Sequence, residues 1–173
     1  MNTFAISGLH FIKFSITTLL LLFYCVTVAQ PELPKRAISV RIAQPIYFGS
    51  FCLSGGSGGT VTVGYDGNRT SSGDIILLSV SPLAQPAIFE IKLCKGQNIT
   101  IIFDTPVVAL TGNGGSMSLA IGPTDRGGNG VSFPANADCN FTTQLRLGGT
   151  ISVPGAARPG TYSGYFSLTF IQQ

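Results

Sequence analysis

Side chains that could act as a general base or as a nucleophile are scarce in this sequence. The 173-residue chain carries one histidine, His10, and no tryptophan. A serine or cysteine nucleophile needs a neighbouring base and a group that orients that base. His10 lies in a segment that we expect to be removed during export, and no motif places a lysine or a carboxylate as a substitute base. The sequence therefore predicts no catalytic residue and a protein that is not an enzyme.

Paired carboxylates are the other arrangement that could support catalysis, because two of them suffice for glycoside hydrolysis. After the leader, the acidic residues are spread over turns, loops and one predicted strand: Asp66, Asp74, Glu90, Asp104, Asp125 and Asp138. An aspartate in a turn commonly accepts hydrogen bonds from nearby backbone groups. We therefore interpret these residues as turn formers or solvated surface groups.

Metal-ligand patterns are equally weak. Once the only histidine is removed, no imidazole ligand remains, and the cysteines are too isolated for a zinc site. Two loops could offer oxygen ligands to calcium, namely Asp66 with Asn68 and Thr70, and Asp125 with Asn129. Both loops lack the clustered acids that a calcium loop needs. We predict no metal and no cofactor.

The N-terminus has the parts of a secretory signal peptide. Lys13 precedes the apolar run FSITTLLLLFY, and a cleavage site after Ala29 follows it. The run is shorter than the roughly 20 apolar residues of a membrane-spanning helix, although an uncleaved anchor is the alternative. We predict a helical signal peptide at 1–29, a flexible leader at 30–36 and one domain at 37–173. The mature protein would be exported through the inner membrane to the periplasm, the cell surface or the extracellular space, with no stable membrane span.

Export places the cysteines in an oxidising compartment. Cleavage would remove Cys25 and leave Cys52, Cys94 and Cys139, so one disulfide and an odd thiol are expected. Spacing alone does not settle the connectivity. Cys94 and Cys139 each adjoin a predicted turn and form the preferred pair, with Cys52 as an alternative partner or a free thiol. Burial of some of them as small apolar side chains is the other interpretation.

Charged residues are few and dispersed. The mature chain would keep nine of the ten Lys and Arg residues and all seven acids. The basic residues are isolated from one another apart from Lys35 and Arg36, so they form no stripe that could follow a phosphate backbone. Nucleic acid is therefore not an expected partner.

Alternation of apolar and polar residues predicts β-strands after the leader. In residues 145–171 two such runs follow each other across a Gly/Pro turn. Their apolar positions are Leu145, Leu147, Ile151 and Val153 in the first run, and Tyr162, Phe166, Leu168 and Phe170 in the second. We expect these runs to pair as a hairpin whose apolar face packs on a second sheet.

Similar short runs recur along the chain with turn residues between them. Residues 75–80 are apolar enough for a central strand, residues 71–74 resemble a turn, and residues 123–138 form one long irregular stretch. No segment after the signal has an apolar helical period. Many short strands separated by turns predict an all-β fold, an Ig-like antiparallel β-sandwich of about 8–10 strands.

The outward row of the last strand is the best candidate for a surface contact. Its members lie opposite the apolar row and are Ser163, Tyr165, Ser167 and Thr169. Tyr165 could offer an aromatic face to a sugar or to a protein, whereas a single exposed aromatic residue without a partner is the simpler interpretation. If the strand lies at a sheet edge, we expect this row to contact another subunit.

Several segments, taken in order, form a specific pattern: FGSFC, SGGSGGTVTVGYDGNRTSSG, PAIFEIKLCKGQNITIIF, LTGNGGSMSLAIG, DCNF, LRLGGTISVP and PGTYSGYFSLTF. The pattern resembles the secreted bacterial domain-of-unknown-function family 4402, in particular its cysteine-bearing members from Bacteroidota. This resemblance implies a small exported Ig-like β-sandwich without an established activity. The closing GTYSGYFSLTF also resembles the last strand of pilin and spore-coat-like subunits, which implies a role in assembly. Strand donation of the pilin kind would have to use residues 38–42.

Two functions follow from these features. The first is an exported, non-enzymatic structural or assembly (pilin-like) subunit at the cell surface or in the extracellular matrix. Its partners would be other copies of the chain or other envelope subunits. The alternative is a carbohydrate- or surface-binding adhesin module that binds glycans through a loop such as residues 123–138.

Overall fold

The computed structural model describes residues 37–94, 98–112, 115–136, 138 and 140–173. The predicted signal peptide and leader, and also Cys139, lie outside the described residues. Within them the chain is all-β and forms an antiparallel sandwich, as the alternation predicted. No helix in these ranges is long and apolar enough to cross a membrane.

The described residues form twelve strands, whereas the pattern predicted about 8–10. The number is higher because several of the strands are very short. The strands are β1 (Ala37–Gln44), β2 (Ser50–Leu53), β3 (Gly59–Val63), β4 (Arg69–Gly73), β5 (Ile75–Leu78), β6 (Ala87–Cys94), β7 (Asn98–Phe103), β8 (Val107–Gly112), β9 (Gly115–Thr124), β10 (Ser132–Pro134), β11 (Thr143–Val153) and β12 (Leu168–Gln172).

A seven-stranded sheet forms one layer of the sandwich. Its strands are hydrogen-bonded in the order β1-β6-β11-β3-β4, with β9 also paired to β11 and β8 paired to β9. β11 has three neighbours because residues 143–147 pair with β6 and residues 149–153 with β3, whereas β9 pairs with residues between 147 and 152. Gly148 separates the two halves, and a Cβ there would lie 2.5 Å from the carbonyl oxygen of Val63. Glycine therefore permits the close backbone approach at this change of partner.

Two smaller sheets cover the large one. The sheet β10-β7-β12 shares a buried apolar cluster with β6 and the first half of β11. The sheet β2-β5 shares a second cluster with β3, β8, β9 and the second half of β11. The rings of Phe89 on β6 and Phe170 on β12 lie 6.1 Å apart and join the two layers. The predicted inward residues of β11 are buried, namely Leu145, Leu147, Ile151 and Val153. The alternate residues Ala87, Phe89, Ile91 and Leu93 of β6 are buried beside them.

The predicted hairpin of residues 145–171 is wrong. β12 pairs with β7, and β11 pairs with β3, β6 and β9. Residues 161–167 are not a strand and form one bridge, between Ser163 and Thr111. Both runs carry an apolar face, and in opposite layers these faces can pack against each other, as Leu145 and Leu147 do with the side chains of β12. The chain instead crosses from one layer to the other, so that the two faces share the core.

Three shorter predictions also need correction. Residues 75–80 are not a central strand, since β5 pairs with β2 alone among the described strands and exposes Ile76 and Leu78. Residues 71–74 lie mostly in β4, where the Ser72 hydroxyl is 2.7 Å from that of Thr60 on β3. Residues 123–138 include the end of β9 and all of β10. Pairing with another strand, β3 for residues 71–73 and β7 for residues 132–134, overrides the local composition.

β1 is the first predicted strand and lies at the edge of the large sheet. It pairs with β6 of its own chain, and Arg41 forms a 2.5 Å ion pair with Glu90 across that pairing. Its inward row is poorly covered, because Val40 is 39% exposed and Ile42 is 66% exposed. The residues that could have served for strand donation therefore complete the sheet of this chain.

Arg69 on β4 connects the large sheet to the sheet β2-β5. Its Nη2 donates to the carbonyl oxygen of Ser50 at 2.7 Å, and its Nη1 donates to that of Leu78 at 3.2 Å. Burial lowers the pKa of the Arg69 guanidinium below its ordinary value, and Tyr47 offsets part of this shift. The Nε atom is buried without a hydrogen-bond partner. One side chain thus holds both strands of the small sheet.

We expect Arg69→Met to lower the free energy of unfolding by about 1.5–3 kcal/mol, the range for hydrogen bonds to charged groups. The methionine keeps the length and the apolar contacts of the side chain but cannot donate to either carbonyl. Chemical denaturation followed by circular dichroism measures the change. Arg146→Met, at an exposed arginine on β11, is the control and should change stability by less than about 0.5 kcal/mol. Equal effects of the two substitutions would contradict the role assigned to Arg69.

Candidate functional site

β12 is an edge strand of the sheet β10-β7-β12, and among the described strands only β7 pairs with it. The ladder continues at both ends through Asp104 N to Ser167 O (3.3 Å) and Gln173 N to Asn98 O (3.0 Å). Backbone groups of alternate residues point to opposite sides of an antiparallel strand. Leu168, Phe170 and Gln172 therefore direct their backbone groups away from β7, towards the open edge.

The predicted outward row is exposed along its whole length, at Ser163, Tyr165, Ser167 and Thr169. Tyr165 is 96% exposed, so its aromatic face is available to a partner. The row does not lie on one strand, since Ser163 pairs with β8 of the large sheet whereas Thr169 lies on β12. The Thr169 hydroxyl donates to the Asp104 carboxylate at 2.9 Å. The row thus spans the crossing between the two layers.

The open edge of β12 lacks the usual protection against pairing. Edge strands commonly carry lysine, proline or a bulge that prevents another strand from adding. The sequence of β12 is LTFIQ, which contains no charged residue and no proline. Ile171 on its outward side is 47% exposed. This edge can therefore accept a further strand without burying a charge.

The cysteines are placed only in part. Cys52 on β2 is exposed and is a free thiol. Cys94 ends β6 and has an interaction partner. Because Cys139 lies outside the described residues, the pairing of Cys94 with Cys139 stays a prediction.

The acidic residues hold turns and strand ends, as interpreted from the sequence. Asp66 and Asp138 each accept a hydrogen bond from the backbone N–H two residues later, which is the geometry of an Asx turn. Asp74 accepts a hydrogen bond from the N–H of Ser57, and Asp125 accepts one from the N–H of Arg146. Asp104 accepts a hydrogen bond from the hydroxyl of Thr169. Glu90 forms an ion pair with the guanidinium of Arg41. In the described part of the chain, no three His, Cys, Asp or Glu side chains group as metal ligands.

The stretch 123–138, expected as a binding loop, is attached to β7. Asn129 Oδ1 accepts a hydrogen bond from Phe103 N at 2.7 Å, and Gly130 N donates to Ile101 O at 2.8 Å. Phe133 on β10 is buried in the core. Most of the polar backbone of this stretch therefore supports the fold, and its use as a glycan-binding loop stays a prediction.

An apolar cleft of about 720 Å³ lies between β2 and residues 157–166. Its floor consists of buried side chains of the large sheet: Leu110, Met117, Leu119, Ile151 and Val153. Phe48, Phe51 and Leu53 line one wall, and Tyr162 and Phe166 line the other. We call this feature the β2 cleft. Its volume and apolar lining are typical of a ligand pocket.

Sequence reasoning missed the β2 cleft. Its lining comes from segments that are up to 120 residues apart in the chain, between Ile46 and Phe166. Two glycines let the wall formed by Tyr162 and Phe166 lie close to β8. A Cβ at Gly112 would lie 2.1 Å from Thr161 O, and a Cβ at Gly164 would lie 2.8 Å from Ala109 O. Each of these glycines is only a turn or breaker signal in the sequence, so no local pattern could reveal the cleft.

Comparison with known proteins identifies one family. The profile of a family described as "Domain of unknown function (DUF4402)" matches residues 38–171. The match runs from β1 to β12 and so covers strands of all three sheets. No curated protein and no solved structure matches the chain significantly.

Proposed function

The chain belongs to the DUF4402 family, and from that premise we propose that it is an exported, non-enzymatic structural subunit that assembles through the open edge of β12. One observation carries the proposal: this edge is uncharged, lacks proline and has no second strand partner in the described residues. A strand from another copy, or from another envelope subunit, can continue the sheet there by main-chain hydrogen bonds. The alternative, a glycan-binding adhesin module, stays a prediction.

The backbone groups of Leu168, Phe170 and Gln172 supply the donors and acceptors for the added strand. Side chains of the outward row then lie beside those of the partner, and Tyr165 can cover them because almost its whole surface is exposed. Tyrosine suits such a contact because its ring is apolar and its hydroxyl remains able to hydrogen-bond. Contacts of this kind would join subunits without any catalytic step.

Export and the disulfide complete the proposal. The apolar run that precedes Ala29 would direct the chain to an oxidising compartment, at the cell surface or in the extracellular matrix. There Cys94 and Cys139 would form the disulfide, which would close the end of β6 against the segment before β11. Cys52 would stay reduced or join another chain, since its thiol is exposed.

The test places a charge on the outward side of β12. Ile171→Lys, and separately Tyr165→Lys, should weaken self-association about tenfold, the effect of ~1.4 kcal/mol, because an added strand would have to desolvate the new ammonium group. Size-exclusion chromatography with light scattering over a concentration series of the exported protein measures the association.

Ser132→Lys is the matched control for this test. Ser132 on β10 and Ile171 on β12 both pair with Thr100, so they occupy the same row at opposite edges of one sheet. The control should assemble as the wild-type protein does. A wild-type protein that stays monomeric at every concentration, or a Ser132→Lys variant that dissociates as much as Ile171→Lys, would refute assembly through β12.

A further inference from the structure

We propose that the β2 cleft binds a fatty acid, that is, a single unbranched alkyl chain that ends in a carboxylate. The site is separate from the open edge of β12, and the proposal does not depend on assembly. It rests on the apolar lining of the cleft, on the flexible Met117 in that lining, and on one cation, Arg158, at its mouth.

The lining selects an apolar ligand. The floor residues come from β8, β9 and β11, and none of them exposes more than 7% of its surface. Phenylalanines at 48, 51 and 166 complete the walls. A sugar would lose its hydrogen bonds to water in such a cleft and regain few, because most of the lining offers no donor or acceptor.

The floor of the cleft suits an unbranched alkyl chain. Met117 is the flexible side chain among the floor residues. A methionine can adjust to the shape of a methylene chain, because its own side chain is unbranched and has several rotatable bonds.

Arg158 selects the head group. Among the described residues that line the cleft, it is the only one with a charge, and no acid lies beside it in the lining. Arg158 is exposed, and its guanidinium has no ion pair or hydrogen bond to any described residue. The Tyr162 hydroxyl donates to the Arg158 carbonyl oxygen at 2.7 Å and so fixes the backbone of this segment.

The positive charge of Arg158 at the mouth of the apolar β2 cleft therefore favours a ligand with a negative head group. A guanidinium binds a carboxylate through two parallel hydrogen bonds. The alkyl chain would lie over the floor of the cleft while the carboxylate stays at the solvent boundary next to Arg158. Burial of the chain removes apolar surface from water and drives binding, and the arginine sets its direction.

Isothermal titration calorimetry with dodecanoate, on the exported protein, tests this proposal. We expect saturable binding of one dodecanoate per chain with a negative heat-capacity change, the sign of apolar burial. Dodecanol, which has the same chain and no charge, should bind several times more weakly. Acetate, which has the head group alone, should not bind measurably. The absence of dodecanoate binding, or uptake of several molecules per chain, would overturn the proposal.

Two pairs of variants locate the ligand. Ala157→Phe fills the cleft, because Ala157 is one of its lining residues. The neighbouring Ala156 is exposed and lies outside the lining, so Ala156→Phe is the matched control. The first substitution should abolish binding of dodecanoate and dodecanol, and Ala156→Phe should leave both unchanged. Arg158→Gln should weaken dodecanoate binding about fivefold, as expected for an exposed ion pair, and leave dodecanol binding as it was.

The control for charge is Arg146→Gln, which removes an arginine outside the cleft. Thermal unfolding of each variant confirms that it is folded. Binding that survives Ala157→Phe would overturn the site, and equal effects of Arg158→Gln and Arg146→Gln would overturn the role of Arg158.

An added test separates a free acid from a membrane lipid. Dodecanoyl-lysophosphatidylcholine should bind more weakly than dodecanoate, and tighter binding of this lipid would overturn the choice of a free acid.

Discussion

Leu147→Ala is expected to lower the free energy of unfolding by roughly 2–5 kcal/mol. Leu147 is 0% exposed and lies in β11, the strand that joins β6 to β3 and β9. The substitution removes apolar contacts and leaves a cavity, and the three strands paired around β11 limit how far the core can collapse into it. Denaturant titration followed by circular dichroism measures the change.

Ser152→Ala is the control for that substitution. Ser152 lies five residues further along the same strand, on the exposed side, so its replacement should change stability by less than about 0.5 kcal/mol. A loss for Leu147→Ala as small as the loss for Ser152→Ala would mean that β11 is not the central strand of the core. Since a small domain is stable by only about 5–15 kcal/mol, the larger loss should also reduce the amount of folded protein that is recovered.

Gly58→Ala is expected to destabilise the fold by roughly 3 kcal/mol or more, since two separate costs add at this position. Gly58 has φ +74°, in the left-handed region that disfavours a side chain. A Cβ at this position would also lie 2.3 Å from Val153 O and 2.6 Å from Gly155 N. Both groups belong to the backbone at the end of β11, so they cannot move aside without disturbing the pairing of β3 with β11.

Two further glycines separate these costs. Gly67 has φ +86° but no atom within 4 Å of an added Cβ, so Gly67→Ala should show the conformational cost alone, about 1–2 kcal/mol. Gly56 has neither a positive φ nor a close neighbour, and Gly56→Ala should change stability by less than about 0.5 kcal/mol. Thermal or denaturant unfolding should rank the losses in the order Gly58, Gly67, Gly56. A Gly58 variant no less stable than the Gly67 variant would contradict the close contact between β3 and β11.

The proposed assembly and the proposed ligand make separate demands on the molecule. Assembly uses the backbone of β12, whereas the alkyl chain would occupy the β2 cleft. The wall formed by residues 157–166 lies just before β12 in the chain. Ile171→Lys should therefore leave dodecanoate binding unchanged, and Ala157→Phe should leave self-association unchanged, so failure of one proposal does not decide the other.

The sequence by itself determined which side of each main strand faces the core. Side chains of a strand alternate between its two faces, so the apolar row of β11 could be identified from nine consecutive residues, 145–153. The same local rule predicted the exposure of Thr169 on β12, whereas Ser163, Tyr165 and Ser167 are exposed on a segment that is not a strand. It also gave the all-β class, because short alternating runs separated by turn residues favour strands wherever the chain is folded.

The tertiary structure alone decided which strands pair. The two runs of residues 145–171 look like a hairpin, yet β11 lies in the large sheet and β12 lies in the sheet β10-β7-β12. Pairing depends on covering apolar faces from distant parts of the chain, and that competition leaves no mark in a local window. The open edge of β12, the link through Arg69 and the β2 cleft all arise from such pairings. These three features depend on the positions of the strands relative to one another, and alternation along the chain does not determine those positions.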